Sequence, residues 1–408
     1  MAPAGDAPSR WTMLAVGMLA QVAGTLLANA PVFLIPFLTL ERGLTLVQAG
    51  LLASTSLVGT MLTLVVWGAV VDRIGERLSL TIGLTIVTVG GFGAALGSSS
   101  SGTSYVVIGA FLLLVGVGAA STNSASGRLV VGWFPPERRG FTMGIRQTAL
   151  PFGISLAAFI VPVTAEAGGL RAALLVPTVV SAVATVAVAL LVVDPTRPSR
   201  EEAAGRGQLA NPYRGSSRLA RIHVASMLLV VPQLTIWTFM LVWLIDARGW
   251  STTAAGALVG STQLLGAGAR IAAGWWSDRV GSRLRPMRLV AVATVVTMTA
   301  LGLVEATLLA VAIIIVAAAV TVASNGLAFT AVAELGGPFW SGRAMGVHNT
   351  GQYVAAALVP PFVGALVTDA GYAIAFASVA LFALLAVPIV PVKGEHGARQ
   401  ERSPISSC

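Results

Sequence analysis

The chain has 408 residues, 56% of them hydrophobic and 10% charged, with a mean hydropathy of +0.85 and a formal net charge of +9. A soluble protein must cover itself with polar groups, so this composition excludes a water-soluble fold of this size. The excess of base does not point to nucleic acid. Of the 25 Lys and Arg, only Arg42, Arg171 and Arg248 fall in loops on one side of the apolar runs, and most of the others gather in tails and loops on the opposite side. That asymmetry is the positive-inside pattern, and it predicts a multi-pass protein of the cytoplasmic (inner) membrane with both termini cytoplasmic. The expected surroundings are therefore a lipid bilayer, with no nucleic-acid partner.

In chain order, the first apolar run reaches from Trp11 to Leu38. It exceeds the roughly 7–15 residues of a signal-peptide core. Ala28-Asn29-Ala30 could pass for a cleavage site, but Pro31 follows and the run continues to Leu40, so it reads as a retained helix. A bilayer core needs about 20 apolar residues per helix, and twelve spans are expected, near 12–38, 46–71, 78–97, 104–133, 140–163, 170–193, 218–246, 252–276, 287–306, 309–334, 338–367 and 372–393. The connections are short, as between adjacent helices. The exception is 194–217, rich in Pro, Gly and Arg, which reads as a cytoplasmic linker between an N-terminal six-helix bundle (1–193) and a C-terminal one (218–393), followed by a cytoplasmic tail, 394–408.

Covalent chemistry is not expected. Cys408 is the one cysteine, so no internal disulfide can form, and no Cys/His cluster supports a structural metal. The one lysine is Lys393; there is no nucleotide-binding loop, no cluster of acids and no Ser–His–Asp set within a span. The reading is a non-enzyme without cofactor or metal.

A ten-residue signature occurs twice, 206 residues apart. It reads Gly68-Ala-Val-Val-Asp72-Arg73-Ile-Gly75-Glu-Arg77 and Gly274-Trp-Trp-Ser-Asp278-Arg279-Val-Gly281-Ser-Arg283. A second pair, at an offset of 202, is Gly140-Phe-Thr-Met143-Gly144-Ile-Arg146-Gln147-Thr148 and Gly342-Arg-Ala-Met345-Gly346-Val-His348-Asn349-Thr350; the same offset pairs Asn123 with Asn325. Two related halves of six helices are the pattern of a parallel-repeat transporter.

On these motifs the chain resembles the major facilitator superfamily over essentially its whole length. The duplicated signature carries the resemblance, and Trp133-Phe-Pro-Pro-Glu137-Arg138-Arg139-Gly140 is similar to the superfamily's link between helices 4 and 5. The resemblance implies a fold of two pseudo-symmetric six-helix bundles, all-α, and alternating access. It also implies conformational gating by Gly68, Asp72, Arg73 and Arg77 and by Gly274, Asp278, Arg279 and Arg283, which would tie the halves together on the cytoplasmic side in the outward-open state. The chain departs from the proton-driven drug exporters of the superfamily. It has Gly116-Val-Gly118, but Leu112 stands where those exporters carry a helix 4 arginine, and helix 5 offers only Pro151, Gly153 and Pro162.

Polar groups inside spans are costly and tend to face a cavity. Arg270 lies eight residues before Asp278, about 12 Å deeper at 1.5 Å per residue, and its counterpart in the first half is Leu64. No acid lies deep in a span, so the guanidinium should seek an external anion, for which its planar fork is suited. Arg270-x-x-x-Gly274-x-x-x-Asp278-Arg279 also resembles the helix 8 pattern of monocarboxylate and oxalate–formate transporters, whose arginine binds substrate carboxylate. The competing reading is an Arg held by neighbouring carbonyls or by Asp278. Asn123, Asn325, Gln263, Gln233 and Gln21 are the accompanying substrate-binding candidates; Asn29 and Trp237 are of the same kind. Arg146 is a candidate secondary anion contact, and it and Arg128 could instead snorkel or pair with Glu137. His348, the histidine well inside a span, is the candidate for proton coupling.

The expectation is a monomeric secondary transporter of a small organic anion, a monocarboxylate, with H+ symport as the candidate coupling. The alternatives are efflux of drugs or other small molecules and carriage of a nitrate- or cyanate-type inorganic anion. A ligand sensor that does not transport is disfavoured by the short loops and the lack of a soluble signalling domain.

Overall fold

The computed structural model describes residues 9–98, 104–393 and 395; Cys408 and nearly all of the expected tail lie outside the described residues. Among the described residues all regular structure is helical. Hydroxyl side chains start several helices by accepting the first free amides. Ser9 opens α1 (Arg10–Phe33), Thr45 with Gln48 forms a capping box on α3 (Leu46–Ile74), and Ser104 opens α5 (Tyr105–Trp133). Pro31 and Pro36 flank the break at Leu34 between α1 and the short α2 (Ile35–Leu40). After α4 (Glu76–Leu96) and α5 come α6 (Arg139–Arg146), α7 (Ala149–Leu191), the short α8 (Arg200–Gly205), α9 (Arg218–Asp246), α10 (Thr252–Arg279), α11 (Leu284–Leu303) and α12 (Leu309–Ile389).

Two of these helices are too long for one crossing. The 81 residues of α12 would extend about 120 Å if straight, against a hydrocarbon core of about 30 Å. Gly337 (φ 64°) and Gly371 (φ 82°) interrupt it, and Gly169 (φ 68°) interrupts α7, each in a left-handed conformation that only glycine adopts easily. Eight helical stretches among the described residues are long and apolar enough to cross a bilayer. With these breaks, and with the less apolar α10, the arrangement is consistent with twelve spans.

The chain forms two compact units. The first comprises described residues within Met1–Phe134, Thr148–Ala210 and Gly336–Thr350; the second those within Pro135–Gln147, Asn211–Leu335 and Gly351–Cys408. The segment 135–147 thus belongs with the later part of the chain and 336–350 with the earlier part. These are the two stretches that carry the second repeated motif.

In the first unit, Leu26, Leu27, Leu52, Val87 and Leu174 share one apolar core. Small residues let its helix backbones touch. A methyl group on Gly116 would overlap the carbonyl oxygen of Ser56, and one on Gly118 that of Gly83, so Gly116-Val-Gly118 serves the packing of α5 on α3 and α4. Leu112 is buried beside them, its carbonyl accepting from Ser56. In the second unit Trp243, Phe376, Met240 and Met298 centre a separate core.

The expected linker is partly ordered. Ser199 and Glu202 form a capping box on α8. Further on, the Tyr213 hydroxyl lies 2.9 Å from Nε2 of His223, and burial pushes the phenol's pKa up to about 12. Gly116→Val should lower the melting temperature of the detergent-purified protein by several degrees, the overpacking cost being roughly 1–3 kcal/mol. Gly205→Ala, with nothing near its added methyl, should leave it unchanged. Equal melting of the two variants would contradict the packing assignment.

Candidate functional site

The repeated signature builds a charged knot in each unit. Asp72 ends α3 one turn after Gly68, and Gly68 packs against the backbone of Gly342 so closely that a side chain would overlap it. The carboxylate of Asp72 accepts from the amides of Gly342 (2.8 Å) and Arg343 (3.0 Å). Arg128 of α5 pairs with the same carboxylate and donates to Glu76 at 2.7 Å. Its third nitrogen reaches the carbonyl of Pro338 at 3.0 Å. Arg197, from the chain beyond α7, donates to Glu76 at 2.8 Å and to the carbonyl of Asp72 at 3.1 Å. Asp72, Glu76 and Arg128 are all buried, so each charge is compensated where water cannot do it.

The second unit repeats the plan. Gly274 packs against Gly140, and Asp278 accepts from the amides of Gly140 (2.9 Å) and Phe141 (2.8 Å). Its cation is Arg283, which also donates to Glu334 (3.2 Å) and to the hydroxyl of Ser277 (2.8 Å). Burial works against this guanidinium's charge, but Glu334 and Asp278 outweigh it and its pKa is raised. The start of the following helix is also capped alike. Asp194 accepts from the amides of Glu76 and Arg77, and Glu395 from those of Arg283 and Leu284.

Arg128 therefore pairs with Asp72 and Glu76, not with Glu137. Three signature arginines stand apart from the knots. Arg73 is exposed, Arg77 donates to the carbonyl of Ala189, and Arg279 stacks on Trp275 with 4.0 Å to the ring centre. Glu76, Asp194, Arg197, Glu334 and Glu395 are knot or cap residues that the sequence reading did not single out.

Deeper along the same helices, each unit has a glycine crossing. Gly346 lies against the backbone of Leu64, and Gly144 against that of Arg270. Arg270 is 3% exposed. It makes no ion pair among the described residues, its Nε has no hydrogen-bond partner, and its guanidinium lies 5.8 Å from the ring centre of Trp237. Asp278 is engaged by Arg283 and the two amides, so it is not a partner for Arg270.

The other predicted residues divide between the units. In the second, the Asn325 amide donates to Gln233 at 3.1 Å, Gln263 is half-buried on α10, and Arg146 donates to Gln147 at 2.7 Å while lying 5.7 Å from the ring centre of Phe329. In the first, Gln21 donates to Thr25 (3.3 Å) and accepts from Ser126 (3.4 Å), while Asn123 and His348 are buried. Asn29 is turned back on the carbonyl of Thr25.

Helices apolar enough to span a bilayer several times, tied by duplicated charged knots, have the build of a carrier. Comparison with known proteins agrees: the Major Facilitator Superfamily profile matches residues 13–360. An uncharacterized MFS-type transporter of Mycobacterium tuberculosis is 47% identical over 387 residues, 94% of this chain and 85% of the relative. The probable nitrate/nitrite transporter of the same species is 28% identical over 249 residues, 60% of each chain. Among solved structures, a proton:xylose symporter superposes with a TM-score of 0.72 at 16% identity, covering 93% of this chain and 94% of that one. The chain belongs to the Major Facilitator Superfamily and is a multi-pass membrane transporter.

Removing Arg128 should be costly because two buried carboxylates lose their shared cation. Arg128→Ala is expected to destabilise the protein by roughly 3–5 kcal/mol, read as a large drop in melting temperature, whereas Arg73→Ala should melt with the parent. An Arg128→Ala protein as stable as the parent would contradict the knot.

Proposed function

We propose that this transporter carries a small oxyanion, a monocarboxylate or a nitrate-like ion, across the inner membrane by alternating access, both termini lying in the cytoplasm. The observation that carries this reading is Arg270: a buried guanidinium with no carboxylate on it among the described residues. Burying an unpaired cation costs several kcal/mol, and an incoming anion recovers that cost through charge-assisted hydrogen bonds. The same position in the other repeat is a leucine, so the scaffold does not require a cation there. Kinship with a nitrate/nitrite transporter supports the inorganic member of this class.

The two knots supply the gating. A carboxylate that caps a helix start holds that helix in one position, and Asp72 and Asp278 hold the two chain segments that are exchanged between the sequence halves. Rocking the halves apart requires these caps to break and re-form. His348, buried in the first unit at the place equivalent to Arg146, is the proposed proton-coupling group, with Asn123 and Gln21 as polar contacts on that unit.

A thermal-shift series on purified protein tests the reading, using sodium lactate, sodium nitrate and tetraphenylphosphonium with both parent and Arg270→Gln. Lactate or nitrate should raise the melting temperature of the parent saturably and that of Arg270→Gln at least tenfold less effectively, while the cation does nothing to either. Equal anion stabilisation of both proteins would remove Arg270 from the site. In proteoliposomes, Asp72→Asn should slow uptake severalfold with anion affinity within about threefold of the parent, a shift of under 1 kcal/mol. A large loss of affinity would argue against gating.

A further inference from the structure

The two glycine crossings are built on one plan but filled with different chemistry. In the first unit the crossing joins Leu64 to Gly346, and two residues further on stands His348. In the second it joins Arg270 to Gly144, and two residues further on stands Arg146. Both arginines are 3% exposed. A third backbone joins the second crossing, because Gly326 of α12 lies 3.5 Å from the Cα of Gly144 when its missing methyl is added. Arg270, Arg146 and Asn325 are thus within two residues of a single point where α6, α10 and α12 meet.

Each of the two arginines has an aromatic neighbour, and Arg146 also donates to Gln147 at 2.7 Å. Arg270 lies over Trp237 and Arg146 over Phe329, at 5.8 and 5.7 Å from the ring centres. Trp237 is one turn along α9 from Gln233, and Phe329 one turn along α12 from Asn325, so each ring shares a helix face with one member of the Gln233–Asn325 hydrogen bond. The Gln233–Asn325 hydrogen bond thus joins the two helices that carry the rings. The first repeat has Gly127 at the place of Phe329, so the brace is absent where the second arginine is absent.

Accepting Arg270 as the countercharge, we propose that the anion is held jointly by Arg270 and Arg146, and that Trp237 and Phe329 are positioning residues that make the site select trigonal planar anions over tetrahedral ones. Each guanidinium, itself a flat plate, is attracted by its ring through a cation–π contact at 5.7–5.8 Å, which limits where that plate can sit. Its N–H donors then project from the edges of that plate, in the geometry of a planar carboxylate or nitrate. A tetrahedral sulfate places its oxygens out of any one plane and meets fewer of them. An ammonium in place of either arginine keeps charge but loses the planar fork.

The test is calorimetric titration of the purified full-length protein with sodium nitrate, sodium acetate and sodium sulfate. The parent should bind nitrate and acetate more tightly than sulfate. Arg146→Gln should weaken nitrate binding about tenfold, as the loss of one charge-assisted contact of about 1.4 kcal/mol predicts. Arg146→Lys should recover less than half of that. Trp237→Leu and Phe329→Leu should each weaken nitrate roughly 3- to 10-fold and shrink the nitrate-to-sulfate ratio, with Trp237→Phe restoring the ratio. Phe329→Leu removes no charge, so it tests the brace even if Arg146→Gln fails to fold. If Arg270→Gln abolishes nitrate binding while Arg146→Gln and Phe329→Leu bind like the parent, the joint site is wrong and the single-arginine site stands. A changed affinity with an unchanged nitrate-to-sulfate ratio in the ring variants overturns the positioning role. A parent that binds none of the three anions overturns this proposal together with the function it rests on.

Discussion

The structure depends on a carboxylate at the end of a membrane helix that must be compensated without water. Asp72 and Asp278 each meet this demand with two backbone amides and one close guanidinium, and Asp72 has that of Arg343 at 3.8 Å besides. Much else follows from it. The amides belong to the start of another helix, so that helix start must come within hydrogen-bonding reach of the aspartate. It can do so only if the residue one turn earlier has no side chain, which is why glycine stands at 68 and 274 and faces glycine at 342 and 140. The approach also explains why 336–350 and 135–147 group with parts of the chain distant in sequence. The caps pull them there.

The two knots share the amide cap and differ in the cation. In the first unit it is Arg128, from near the C-terminal end of α5, and in the second it is Arg283, from the turn after α10. The residue equivalent to Arg128 is Thr330, and the one equivalent to Arg283 is the exposed Arg77. A cap needs directional amides, which only a helix start at a set position can offer. Its countercharge needs only to be nearby and unhydrated, so several positions can provide it. Geometry is repeated and electrostatics is improvised. The acids follow the cations: Glu76 accompanies Arg128 and Glu334 accompanies Arg283.

The sequence carried the fold in its apolar runs and its offset repeats, because span length and repeated spacing are local properties of the chain. It carried Arg270 for the same reason, as a mismatch between two copies of one motif. What it did not carry was pairing. Arg128 meets Asp72 and Glu76 across more than fifty residues, and nothing in its neighbourhood separates those partners from Glu137, which lies much closer along the chain. The signature itself also says less than its letters suggest. Arg73 and Arg279 directly follow the capping aspartates, yet one residue along a helix is a turn of about 100°, so they face away from the knots and Arg279 stacks on Trp275 instead. The aromatic braces were illegible as such: Phe329 looks like any apolar residue of a span until Arg146 is placed above it.

Arg128, Arg283 and Arg270 are buried to nearly the same degree, at 4%, 2% and 3% exposure, and the difference between them is what makes the third informative. The first two are neutralised by fixed acids, so their charge is settled by the fold and their removal is a matter of stability. Arg270 has an aromatic face where the others have carboxylates. A ring attracts a guanidinium by about 0.5–2 kcal/mol, well short of the several kcal/mol that burying the charge costs. The fold thus leaves this guanidinium less compensated than either knot, and an anion bound as proposed would remove the deficit. A site of that kind changes the relative stability of any two conformations that enclose it differently, because only the enclosed one gains fully from the bound charge. Under the proposed function, binding and rocking need no separate linkage: the uncompensated guanidinium proposed to recognise the anion would also make its arrival favour closure, against knots whose own charges are already balanced.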